Sequence, residues 1–77
     1  MNTIMSKEQA RRIRAAYPAG TRLVLIDMDD PYTRLRPGDE GTVMGVDDAG
    51  QIMMQWDSGS RLSLIPGVDS FRMAERR

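Results

Sequence analysis

The residues of this 77-residue chain best equipped for chemistry lie in one short run, Asp29-Asp30-Pro31-Tyr32. Two adjacent carboxylates beside a phenol can hold a basic side chain, the acids on its charged head and the ring along its stem. The same oxygens could ligate a hard cation, but Asp27, Asp29 and Asp30 lack the spacing and central glycine of a calcium-binding loop, so no metal site is expected. A purely structural reading competes. An Asp that turns back on its own backbone before a proline forms an Asx turn, which accounts for Asp30-Pro31 without any ligand. For each residue alone the structural reading weighs more. As a group, Asp29, Asp30, Tyr32, Arg34 and Arg36, with Asp57 from a later acidic turn, form the expected partner-binding set.

Catalysis has little to work with. The chain contains no histidine and no cysteine, which removes the commonest general base, the thiolate nucleophile and the usual transition-metal ligands. Ser58, Ser60, Ser63 and Ser70 have no imidazole to activate them, and the single lysine, Lys7, lies near the N-terminus. A chain this short buries only roughly 60–65% of its unfolded surface, too little for a deep, water-excluding cleft. The expectation is a protein that is not an enzyme and carries no cofactor. Without cysteine there is no disulfide framework. No apolar run approaches the roughly 18 residues of a membrane span, and no signal-peptide core is visible. A cytoplasmic protein without membrane attachment is expected.

The formal net charge is zero but unevenly placed. Residues 1–20 carry four cations against Glu8, a net of +3, while residues 27–57 carry eight acids against Arg34 and Arg36, a net of −6. Nucleic acid is the alternative partner, through a basic helix face of Lys7, Arg11 and Arg14. Three or four phosphate contacts would give weak, salt-sensitive binding, and the acidic middle opposes it. Trp56, the lone tryptophan, could stack on a base, but in a small core it reads first as the largest buried hydrophobe. Among the methionines, adjacent Met53 and Met54 must point to opposite faces of a strand. An adaptable Met surface could make a homodimer, the third reading.

These residues need elements to position them. Residues 1–5 read as a tail and 6–77 as one domain. Ser6 followed by Gln9 is a capping-box pattern, and residues 7–16 hold helix formers until Pro18 and Gly20 stop them, so a helix is expected within 6–17. Ala10, Ile13 and Tyr17 share one face of it. Thr21 to Met28 reads as a first strand, apolar on both faces at Leu23 to Ile26, one for the sheet core and one for the helix. A long loop, Asp29 to Asp39, follows; long loops of small barrels often carry binding sites. Gly41–Val46, Gln51–Trp56 and Arg61–Ile65 read as strands separated by Asp47-Asp48-Ala49-Gly50 and Asp57-Ser58-Gly59-Ser60 turns, with glycines supplying positive φ. Val68 to Met73 completes the chain as a turn and a last strand. The expected fold is mainly β: a small five-stranded SH3-like antiparallel barrel over residues 21–74 with a short N-terminal α-helix.

The motifs Tyr17-Pro18-Ala19-Gly20-Thr21-Arg22, Met28-Asp29-Asp30-Pro31-Tyr32-Thr33, Gly41-Thr42-Val43, Trp56-Asp57-Ser58-Gly59-Ser60 and Leu64-Ile65-Pro66-Gly67-Val68-Asp69 together resemble the small domain catalogued as domain of unknown function 4314, over roughly residues 17–72. The resemblance names no reaction. It implies an accessory protein of a bacterial mobile element, a phage or plasmid, acting on a host defence or DNA-handling machine. The Gly-Thr-Val and Trp-Asp-x-Gly blocks are also similar to SH3-like and KOW-type barrels, many of which bind proteins or RNA; fold alone does not choose between these. The leading expectation is a binding module for another protein, centred on the Asp29–Arg36 loop and the acidic hairpin tips.

Overall fold

A computed structural model describes residues 6–75 of the chain; the tail expected at 1–5 lies outside them. Helix α1 runs Lys7–Ala16. Its start is the expected capping box: the Ser6 hydroxyl accepts from the Gln9 amide at 3.1 Å, and the Gln9 side chain accepts from the Ser6 amide at 3.0 Å. Ten residues are too few to hold a helix in water unaided. Ala10 is buried, and Ile13 and Tyr17 pack on the core, with Tyr17 edge-on to Phe71 at 5.5 Å between ring centroids.

Four antiparallel strands follow: β1 Arg22–Asp27, β2 Glu40–Val46, β3 Ile52–Trp56 and β4 Ser70–Met73. They form one open sheet in the order β3-β2-β1-β4. Leu23, Leu25, Val43, Val46, Ile52, Met54 and Trp56 meet Leu35 and Leu64 in the core. Trp56 is only 1% exposed, and its indole nitrogen donates to the Leu62 carbonyl at 2.8 Å.

The strand expected at Arg61–Ile65, the fourth of five, does not form, and the sheet does not close into a five-stranded barrel. Only Leu64 pairs, as a single bridge to Ile52 with both hydrogen bonds at 2.9 Å. The indole takes the Leu62 carbonyl, the Trp56 amide turns to the Ser60 carbonyl, and Pro66 has no amide to offer a ladder. The segment therefore meets β3 at this one bridge only.

A second correction concerns β1. Val24 is buried but lies outside the core cluster, flanked in register by Glu40 and Arg72 on the neighbouring strands. The helix packs on the core side and does not cover this second face. Irregularities at Ile26 in β1 and Met44 in β2 shift the register. At each, a large apolar side chain is exposed directly after a core residue, Leu25 or Val43. Met53 is also exposed, and Met54 is buried.

Candidate protein-interaction face

The Asp29–Asp39 loop is held down by its own polar side chains. Asp30 forms the Asx turn, its carboxylate accepting from the Tyr32 amide at 2.9 Å. The Thr33 hydroxyl accepts from the Leu35 amide at 3.1 Å, and Leu35 is buried in the core. Asp39 accepts from the Arg36 amide at 3.0 Å. The loop then rejoins β1 through Gly38 N–H to Leu25 O at 2.7 Å and Leu25 N–H to Asp39 O at 2.8 Å. Turn chemistry thus explains Asp30, and it fixes the backbone at Tyr32. Tyr32 itself is 91% exposed, so core packing does not account for it.

A second segment is tied to this loop by Asp69, which is only 8% exposed. One carboxylate oxygen accepts from the Asp29 amide at 3.1 Å and the other from the Ile65 amide at 2.8 Å. The clamp sets the Asp29–Arg34 stretch beside residues 60–69. Two neighbouring depressions result. One, about 520 Å³, is lined by Asp30, Tyr32, Thr33, Arg34, Ser60, Arg61 and Leu62. The other, about 190 Å³, is lined by Met28, Asp29, Asp30, Leu62, Ser63, Ile65, Val68 and Asp69. They share Asp30 and Leu62, so the face is continuous. Leu62, Ile65 and Val68 are all exposed.

Of the expected binding residues, Asp29, Asp30, Tyr32 and Arg34 come together here. Arg36 sits farther along the loop, at the Asp39 turn. Asp57 is elsewhere and already engaged: both its oxygens accept from the Arg22 guanidinium, at 2.7 and 2.6 Å. Glu40 approaches the same guanidinium at 3.3 Å. The hydrogen bonds from Arg22 hold the Asp57 carboxyl below its ordinary value, and Asp57 in turn raises Arg22. Arg22 and Glu40 also line a separate depression of about 550 Å³ between the end of α1 and β4; it lies away from the Tyr32 face.

The basic helix face divides. Lys7 and Arg11 are exposed. Arg14 reaches across to the end of β2, donating to the Val46 carbonyl at 3.0 and 3.3 Å and to the Asp47 carbonyl at 3.4 Å, with Asp48 at 3.7 Å. Its guanidinium therefore helps dock the helix against the end of β2.

Arg61, Leu62, Ile65, Val68 and Asp69 belong to the face but were not expected there. Reading Arg61–Ile65 as a strand assigned its apolar residues to the sheet. The available signal was the wider spacing of Leu62, Ile65 and Val68 around Pro66-Gly67, which does not fit a strand's alternation. Among the described residues no group of three or more acidic side chains is placed to hold a metal, and no helix is long and apolar enough to cross a membrane.

No curated protein matches the chain. A family model does, over residues 6–74. It covers nearly the whole chain, including the helix, all four strands, the Asp29–Asp39 loop and the Asp69 clamp, and the protein belongs to the family described as Domain of unknown function (DUF4314).

Proposed function

We propose that the protein is a non-enzymatic binding module that engages another protein through the Tyr32 face, with a basic side chain of the partner set against Asp29, Asp30 and the phenol ring. The observation that carries this reading is the exposure of Tyr32 on a loop whose backbone is pinned by Asp30, Thr33 and Asp39. An aromatic side chain presented on an ordered loop loses little freedom on binding and is the residue type that anchors interfaces. Leu62, Ile65 and Val68 extend the apolar area beside it, and the acids and arginines at its margin supply specificity and steering. On the same reading, the protein works in the bacterial cytoplasm as a phage or plasmid accessory acting on a host machine; the family's description itself names neither origin nor activity. Nucleic-acid binding through α1 is the weaker reading, because Arg14 is engaged by backbone carbonyls and the acidic middle segment repels phosphate.

Affinity capture from the native host, with the wild-type chain and with Tyr32→Ala in parallel, tests the reading. A protein retained by the wild type and lost from a Tyr32→Ala variant of unchanged melting temperature supports it. Equal capture by both variants overturns it.

A further inference from the structure

We propose that the Tyr32 face pairs with the same face of a second copy of this chain. The inference rests on the reading that this face is an interaction surface, and it names the partner.

The two ends of the face are chemically opposite. One end presents Tyr32 with Arg34 and Arg61. The other presents Asp29 with Ile65 and Val68. Leu62 and Asp30 line both depressions and so lie between the ends. A two-fold axis through the middle of such a face brings each end onto its opposite. Tyr32 of one copy then covers Ile65 and Val68 of the other, and the arginines of one copy meet Asp29 of the other. In an isologous interface every such contact occurs twice. A face of one sign would repel its copy; this one attracts it. The chain itself thus supplies the basic side chain that Asp29 is suited to receive, while Tyr32 takes the apolar contact.

The remaining features agree. The formal net charge of zero puts no long-range repulsion between copies. Four of the eight exposed large hydrophobic side chains among the described residues, Tyr32, Leu62, Ile65 and Val68, lie on this one face. The clamp by Asp69 and the turn at Asp30 fix the backbone in advance, so pairing orders few groups. Met44 and Met53, exposed on the outer side of β2 and β3, carry no comparable pattern of opposed charge.

Sedimentation velocity on the full chain, from micromolar to millimolar concentration and at low and high salt, tests the proposal. The expected result is a monomer–dimer equilibrium that weakens with salt. Arg61→Glu and Asp29→Arg should each raise the dissociation constant about tenfold or more, and the two together in one chain should restore it. A chain that stays monomeric throughout, or a dimer indifferent to all three variants, overturns the proposal. A monomer that still captures a host protein through Tyr32 refutes the second copy and leaves the interaction face standing. A chain that neither dimerises through this face nor binds through Tyr32 refutes both.

Discussion

Gly41 lies directly opposite Trp56 in the β2–β3 ladder, and the indole occupies the space a side chain at 41 would need. A Cβ there would stand 2.9 Å from Trp56 Cε3 and 3.0 Å from the Trp56 Cα and the Gln55 carbonyl oxygen. Two of the three neighbours are backbone atoms, which cannot swing aside. Trp56 in turn bonds Leu62 through its indole. The glycine therefore lets the largest core side chain seat, and that side chain positions Leu62, one residue of the Tyr32 face. Gly41→Ala should cost about 1–3 kcal/mol through overpacking. A thermal melt of the variant checks it; an unchanged midpoint would mean the strands separate there at no cost.

Asp57 and Arg22 give a pH prediction with a definite sign. The folded state holds the Asp57 pKa below its ordinary 3.8. The pair's contribution is therefore complete above that value and is lost as pH falls through the lower folded pKa. Both side chains are solvent-screened, so the contribution is small. Asp57→Asn should weaken the dependence of the acid-unfolding midpoint on salt and leave stability near neutrality little changed. Acid titrations of both proteins at low and high ionic strength measure this; identical salt responses would mean the pair stabilises nothing.

Helix docking combines an apolar and a polar contact. Ile13 packs on the core, and Arg14 binds the Val46 carbonyl. Ile13→Asp should destabilise the fold by about 1–3 kcal/mol, because a carboxylate enters an apolar contact. Arg14→Ala should cost less, about 0.5–1.5 kcal/mol. Denaturant unfolding of the two variants separates the contributions. A larger loss from Arg14→Ala would make the carbonyl contact, not the apolar face, the anchor.

The local parts of this architecture are legible in the sequence because their causes are local. Ser6 and Gln9 sit three residues apart and cap a helix; Gly50 and Gly59 adopt positive φ in their turns; Asp30 closes a turn on the amide two residues on. Trp56 is readable as core from its size alone. What is not legible depends on distant partners. Arg22 meets Asp57 across 35 positions, Arg14 meets Val46 across 32, and Asp69 reaches Asp29 across 40. No periodicity encodes such pairs. The missing strand at Arg61–Ile65 has the same origin: Leu62 and Leu64 alternate as a strand would, but Trp56 takes the Leu62 carbonyl and the ladder shrinks to one bridge. The part of the Tyr32 face contributed by residues 60–69 depends on that contact.

Asp69 makes the face testable apart from the core. Its buried carboxylate satisfies two amides, those of Asp29 and Ile65. Asp69→Ala should leave both unpaired at a cost of about 1–3 kcal/mol, and Asp69→Asn should recover part of the loss, since its amide oxygen can still accept. Hydrogen exchange should quicken at Asp29 and Ile65 before it quickens at the β2–β3 ladder. Uniform acceleration over the whole sheet would mean the clamp belongs to the global fold and not to the face.

The charge of the loop can be changed without removing its turn. Asp29 takes part in the fold through its amide, with its side chain exposed, whereas the Asp30 side chain closes the turn on Tyr32. Asp29→Lys and Asp30→Asn together should therefore keep the melting temperature nearly unchanged, because asparagine can still accept from the Tyr32 amide. The same pair should slow association with a partner that presents arginine or lysine and weaken the complex. Asp29→Lys with Asp30→Lys goes further, removing the acceptor as well, and should loosen the loop. Surface plasmon resonance of each variant against a captured partner, or sedimentation for a second copy, reads the binding arm; thermal melts read the other. If the charge-only variant unfolds, both acids are structural and the face has no electrostatic role. If it folds and binds at full rate and affinity, the contact runs through the apolar residues Tyr32, Leu62, Ile65 and Val68 alone, and Tyr32→Ala becomes the decisive substitution.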